Sequence, residues 1–147
     1  MTGGGWIAVL LIVLGGAAVA VQAPVNGALG RSLQSPLVAA TVSFGVGFAA
    51  LLALSLIGSG GAMARLGGVP FWQFAGGLLG AFYVWAMVAT ISTLGVVTAL
   101  AALILGQLGA ALLIDHVGAF GVVVQPVSPR RLIAVALVAA GLVLSRL

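Results

Sequence analysis

The chain has 147 residues, of which 63% are hydrophobic and only 4% are charged, whereas soluble domains average about 45–50% and about 25%. Five arginines and one aspartate could not cover the apolar surface of a soluble fold of this size. The composition therefore predicts an all-α integral membrane protein. The arginines are scattered between apolar segments, which argues against nucleic-acid binding and indicates contacts with membrane lipid and a role in topology.

Five segments approach the roughly 20 apolar residues that a membrane crossing requires. These predicted spans belong to a single membrane domain, 1–147, and cover 6–29, 37–57, 70–91, 95–114 and 132–147. The end of the first span is open: it either stops near Val21, with Asn26-Gly27 as its terminating pair, or continues through Pro24 to Leu29. Pro70 is expected to open the third span, and Ser128-Pro129 to cap and open the fifth.

Five spans would place the two ends of the chain on opposite sides of the membrane. The N-terminal side would then hold Arg65, Arg130 and Arg131, and the other side Arg31 and Arg146. A bias of three to two barely selects an orientation under the positive-inside rule, so dual topology is predicted. A chain that inserts both ways can form an antiparallel dimer of ten helices, equivalent to the two inverted repeats of many transporters.

Polar side chains are costly in hydrocarbon and tend to face a cavity or the interior of a bundle. Gln22 and Asn26 lie four residues apart and therefore on one face of the first span. Tyr83 and Trp85 lie too deep in the third span for the interfacial aromatic belt. The predicted substrate-binding residues are Gln22, Asn26, Ser43, Tyr83, Trp85 and Gln107. No span has an acid in its middle, so cationic substrates are not expected.

Glycines at helical spacing form a second group of predictions, because small residues let membrane helices approach closely. The predicted packing residues are Gly76, Gly80, Gly106 and Gly109. In the third span, a single stripe also combines the first two of these glycines with aromatic residues that could line a cavity. Its members are Trp72, Gly76, Gly80, Tyr83 and Met87.

The only acid and the only histidine of the chain, Asp115 and His116, are adjacent at the end of the fourth span. Histidine titrates near neutral pH, so the pair could relay a proton that couples to transport. The alternative is a structural role in helix termination and headgroup contact. Both interpretations remain open at the level of sequence.

The sequence lacks the short motifs that accompany catalysis or cofactor binding. It contains no glycine-rich dinucleotide motif, phosphate-binding loop, zinc-protease motif or nucleophile–base pair, and it has no cysteine. We therefore expect no enzyme activity, no cofactor and no metal site.

Four stretches of the chain resemble the YdcZ-like family of short membrane proteins, which belongs to the drug/metabolite transporter superfamily. These stretches are QAPVNGALGR, SFGVGF, GGLLGAFYVWA and GQLGAALLIDHVGAFG. The resemblance implies a five-helix protein of the bacterial inner membrane that moves a small solute by alternating access. It also implies an antiparallel homodimer or a heterodimer with a paralogue. The small multidrug branch of the superfamily uses a glutamate on helix 1, whereas this chain has Gln22 and Asn26 there.

The residues and the resemblance together predict a secondary transporter of a small neutral, zwitterionic or anionic solute. A small dual-topology ion channel is an alternative, because amides, hydroxyls and aromatic edges can line a pore without acids. A non-transporting membrane subunit that packs through its glycine faces is a further alternative.

Overall fold

The computed structural model describes residues 3–58 and 60–147, and the regular elements within these ranges are helical. The α-helices are α1 (Gly3–Ser32), α2 (Pro36–Gly58), the single-turn α3 (Gly60–Met63), α4 (Ala75–Leu94), α5 (Val96–Val117) and α6 (Pro129–Leu144). Short 3-10 turns lie at Leu66–Gly68, Phe71–Phe74 and Ala119–Gly121. The all-α prediction is confirmed. The chain divides into two units, the first ending at Ser92 and the second beginning at Thr93.

In the part of the chain that the structure describes, four helical segments are long and apolar enough to cross a membrane. They are Gly5–Ser32, Pro36–Gly58, Phe71–Leu94 and Val96–Val117, and they correspond to the first four predicted spans. The predicted fifth span is helical over Pro129–Leu144, whose 16 residues extend about 24 Å. Because the hydrocarbon core is about 30 Å thick, length and composition alone do not establish a fifth crossing.

Helix α1 continues through Pro24 and through Asn26-Gly27 to Ser32. The alternative that this amide-rich stretch ends the helix is therefore wrong. A membrane helix can retain a proline because neighbouring helices and local adjustments satisfy the backbone groups that it releases.

The end of α1 is formed instead by Gln34, which adopts a left-handed conformation with φ 51°. The Gln34 N–H donates to the Arg31 carbonyl at 3.2 Å, and the Ser35 N–H donates to the Gly30 carbonyl at 3.1 Å. This pair of bonds is a Schellman motif. It satisfies two carbonyls that the end of the helix would otherwise leave without donors.

The starts of the later helices follow the capping predictions in part. The Ser128 hydroxyl accepts a hydrogen bond from the Arg131 N–H at 3.4 Å, and Pro129 occupies the first turn of α6, as predicted. Pro70, by contrast, does not occupy the first turn of α4. It precedes a 3-10 turn, and α4 itself begins at Ala75.

The first unit is held together by small residues and close contacts between helices. Ala39 and Ala40 of α2 are buried against Val84 and Val88 of α4. A Cβ atom added to Gly30 of α1 would lie only 2.8 Å from the Val88 Cγ1 atom. Since ordinary Cβ contacts are longer, glycine at this position is what lets α1 and α4 approach.

Gly27 makes the same kind of contact one turn earlier on α1, where an added Cβ would lie 2.8 Å from the Ile91 Cγ2 atom. Sequence reasoning assigned packing roles to other glycines and missed this pair. Of the predicted four, an added Cβ at Gly80 would lie 3.5 Å from the Phe44 ring. The other three have no neighbour within 4 Å of such an atom among the described residues; these are Gly76, Gly106 and Gly109.

The second unit contains an antiparallel hairpin of α5 and α6. At one end, the Arg131 guanidinium forms an ion pair with the Asp115 carboxylate. At the other end, the Thr98 hydroxyl lies 3.3 Å from the Ser145 carbonyl oxygen and 3.2 Å from the Ser145 hydroxyl. The start of α6 thus lies beside the end of α5, and the end of α6 lies beside the start of α5.

The connection between α5 and α6 folds back on the end of α5. Gly118 ends the helix in a left-handed conformation with φ 64°, and its N–H donates to the Ile114 carbonyl. The Gln125 N–H donates to the Asp115 carbonyl at 2.8 Å, and Arg131 donates to the Gln125 carbonyl at 3.4 Å. These hydrogen bonds give the segment a defined path although its only regular element is the short 3-10 turn at Ala119–Gly121.

Candidate solute-binding cavity

Helices α1, α2 and α4 of the first unit border a cavity of about 320 Å³. A volume near 300 Å³ is at the lower end of the range for small-molecule sites. The residues that line it are Gln22, Ser43, Phe44, Gly47, Phe48, Leu51, Tyr83 and Val84. Three predicted substrate-binding residues, one from each helix, therefore meet at one cavity.

A narrow crevice adjoins this cavity and shares Gln22, Tyr83 and Val84 with it. The crevice holds about 10 Å³, which is the space of about one water molecule. Its remaining lining residues are Val19, Ala23, Asn26, Met87 and Val88. The crevice therefore brings Asn26, a fourth predicted residue, to the same region of the first unit.

Asn26 is buried, with 6% of its surface exposed, and its carboxamide forms no hydrogen bond with the described residues. No wholly enclosed side-chain nitrogen or oxygen among those residues lacks a partner. The polar atoms of Asn26 are therefore not wholly enclosed, and the residue lines the crevice. An amide held in this way can bond to whatever enters the crevice.

The backbone of α1 explains why the two amides lie together. Gln22 and Asn26 are separated by four residues of uninterrupted helix, so their side chains project from one face. Pro24 lies between them and has no N–H, so the Ala20 carbonyl lacks its usual helical donor. The continuity of α1 through Pro24 thus keeps both amides beside α4.

One wall of the cavity is apolar, and sequence reasoning missed most of it. Phe44, Phe48 and Leu51 of α2 supply this wall, and Phe44 is the immediate neighbour of the predicted Ser43 in the sequence. The spacing of these residues fits a single helix face, but most of α2 is apolar. The polar residue in its second half, Ser55, does not line the cavity, so the sequence does not mark which face is buried by protein and which faces lipid.

Two predicted residues lie away from the two cavities. Trp85 is 40% exposed, and its ring centroid lies 5.9 Å from that of Phe82. Gln107 is an exposed residue of α5 in the second unit. Their roles in substrate binding remain predictions. The predicted stripe of the third span also divides, since Trp72 precedes α4 and borders a separate pocket with Phe71, Phe74 and Leu78.

The Asp115–His116 pair lies in the last turn of α5. Asp115 is half-buried and paired with Arg131, whereas His116 is exposed. The ion pair gives Asp115 a structural partner between two helices. Proton coupling by this pair remains a prediction.

The chemistry of the two cavities is that of neutral hydrogen bonding. None of the described residues that line them is charged. Gln22 and Asn26 offer amide donors and acceptors, and Ser43 and Tyr83 offer hydroxyl groups that donate and accept. Such a lining can orient a small polar group without proton exchange or a counter-ion.

Comparison with known families finds one match along almost the whole chain. A family model described as "Putative inner membrane exporter, YdcZ" matches residues 7–144. The matched range includes every helix that borders the two cavities. Curated proteins and solved structures give no match.

Proposed function

The chain belongs to the YdcZ family of inner membrane exporters, and we propose that it is a secondary transporter that exports a small neutral, zwitterionic or anionic solute by alternating access. The family and the four apolar helices make it a multi-pass protein of the inner membrane. The observation that carries the proposal is the cavity between α1, α2 and α4, where one amide and two hydroxyls, each from a different helix, converge.

The proposed transporter has five membrane crossings. Thr98 and Asp115 of α5 lie 17 residues apart, which is about 25 Å along a helix. Their partners on α6, Ser145 and Arg131, lie 14 residues apart, or about 21 Å. Since α6 runs alongside α5 for most of its length, a crossing by α5 supports a return crossing by α6.

We propose further that two copies work as an inverted dimer, or that one copy pairs with a paralogue. Five crossings place the chain ends on opposite sides, and the three-to-two division of the arginines permits insertion in either orientation. An added Cβ at Gly15 or Gly16 of α1 would meet no atom within 4 Å. This surface leaves room for the close approach of a second helix.

Counterflow in proteoliposomes tests the carrier mechanism. We expect labelled solutes from a panel of neutral amides, amino acids and carboxylates to include at least one with saturable counterflow. Gln22→Leu should lower that counterflow about tenfold or more, because a lost hydrogen bond with an unpaired buried partner costs about 1–3 kcal/mol. Gln73 is an exposed glutamine that lines neither cavity. Gln73→Leu is therefore the matched control and should retain counterflow.

Two outcomes would contradict the proposal. Single-channel currents without saturable counterflow would identify a channel. Equal counterflow in Gln22→Leu and in the Gln73→Leu control would remove the cavity from the transport path.

A further inference from the structure

We propose that the cavity selects an uncharged solute with an amide-like head group beside Asn26 and a flat apolar body against Phe44 and Phe48. This inference rests on the transport function proposed above and narrows its substrate class. The site has two parts of different polarity, a crevice with amide groups and a wider cavity with an apolar wall.

The absence of charge in the lining argues against an ionic solute. An ion transferred from water into an apolar site without a partner is penalised far more strongly than a neutral polar group. No arginine lines either cavity: Arg31 is in the last turn of α1 with its guanidinium beside Gly27, and the remainder lie in connections or at the ends of α6. A carboxylate in the cavity would therefore find hydrogen bonds but no cation in the lining.

Asn26 defines the head group. Its carboxamide has two N–H donors and one carbonyl acceptor, and in this buried position none of them has a partner among the described residues. A carboxylate can only accept hydrogen bonds, and an amidinium can only donate them. A primary amide does both, so of the three it alone can offer Asn26 either a donor or an acceptor. The crevice has space for about one water-sized group, so only the terminal N–H₂ or the oxygen of the head group would enter it.

The wall formed by Phe44, Phe48 and Leu51 defines the body of the solute. Aromatic rings pack favourably against other rings at centroid distances of 4.5–7 Å. A cavity of about 320 Å³ has room for one such ring beside the head group. An aryl amide is thus the simplest molecule that satisfies both parts of the site.

Three probes of nearly the same shape test the inference: benzamide, benzoate and benzamidine, the last a cation at neutral pH. Each is titrated into the purified full-length protein in nanodiscs, with empty nanodiscs as the baseline for partition into lipid. We expect benzamide to bind at least about tenfold more tightly than either ion. Equal or tighter binding of benzoate or benzamidinium would overturn the inference, and so would a failure of all three to bind.

A charge introduced at Asn26 tests the assignment of the head group. Asn26→Asp preserves the side-chain shape, so we expect it to gain binding of benzamidinium by about tenfold and to lose benzamide. Gln73→Glu adds the same charge at an exposed position outside both cavities. This variant should still bind benzamide more tightly than benzoate or benzamidinium. Size-exclusion profiles identical to that of the unsubstituted protein confirm folding, and an unchanged preference in folded Asn26→Asp rejects the assignment.

The outcomes separate this inference from the proposed function. Saturable counterflow of a charged solute through the Gln22 site, without benzamide binding, would reject the substrate class and keep the carrier. Benzamide binding without counterflow of any solute would keep the site and reject the transport mechanism.

Discussion

The two units of the chain use their few polar side chains in opposite ways. In the second unit, polar contacts pin both ends of the α5–α6 hairpin, through Asp115 and Arg131 at one end and Thr98 and Ser145 at the other. In the first unit, the contacts between α1, α2 and α4 are made by glycines, alanines and valines. Four amides and hydroxyls of that unit, those of Gln22, Asn26, Ser43 and Tyr83, line the two cavities instead.

This difference follows from the physics of helix association in lipid. Lipid tails are as apolar as leucine, so close packing and interhelical hydrogen bonds are what hold helices together. A unit that packs through small residues does not need its polar groups for cohesion. Those groups then remain available to a solute, whereas the polar groups at the two ends of the α5–α6 hairpin already have partners within the protein.

The largest expected effect is a steric one in the first unit. Gly30→Ala would place a methyl group against Val88 and so separate α1 from α4. Overpacking of this kind costs about 1–3 kcal/mol, so thermal unfolding in detergent should shift to a lower temperature. Gly45→Ala in α2, where an added Cβ meets nothing within 4 Å, is the control. An equal shift in both variants would show that close packing is not what stabilises this unit.

A smaller effect is expected at the ion pair of the second unit. Asp115→Asn should lower the free energy of unfolding by about 1 kcal/mol, because the pair is partly solvated and its attraction is screened. Arg131→Gln should act similarly, and the double variant should cost less than the sum of the two. Solute counterflow should persist in Asp115→Asn. If the counterflow of this variant lost its dependence on pH while the free energy of unfolding stayed unchanged, Asp115 would instead have a coupling role.

The smallest effect is expected at the other end of the same hairpin. Thr98→Val removes the hydrogen bonds to Ser145, and interhelical hydrogen bonds in membranes contribute about 0.6 kcal/mol on average. The Thr90 hydroxyl donates to the Ala86 carbonyl of its own helix, so Thr90→Val is the matched control. Chemical denaturation should distinguish the two variants, with Thr98→Val less stable. The reverse order would show that Ser145 does not fix the end of α6.

Helix existence was predictable from the sequence, but the end of α1 was not. Apolar runs of sufficient length identified the first four spans, and Ser128-Pro129 marked the start of α6. The chain then places a glutamine, Gln34, in the left-handed position where glycine is usual. Asn26-Gly27 had the expected residue types for a helix end, yet lies inside the helix because packing against α4 continues beyond it.

The polar half of the candidate cavity was also predictable, since Gln22, Asn26, Ser43 and Tyr83 are rare polar residues in apolar helices. The contacts of Gly27 and Gly30 were not. A glycine that packs and a glycine that faces lipid look identical in a chain with 23 of them. Only the distance to Ile91 or Val88 on another helix distinguishes the two cases.

The shortness of α6 has a consequence for how the chain enters the membrane. A helix of about 24 Å matches a bilayer of average thickness poorly, so its insertion depends on local thinning of the lipid. If α6 stayed on the N-terminal side, Arg146 would join Arg65, Arg130 and Arg131 there, and Arg31 alone would remain opposite. Four against one selects a single orientation, whereas three against two does not. The thickness of the bilayer at one short helix would then decide whether a single gene supplies both halves of an inverted pair.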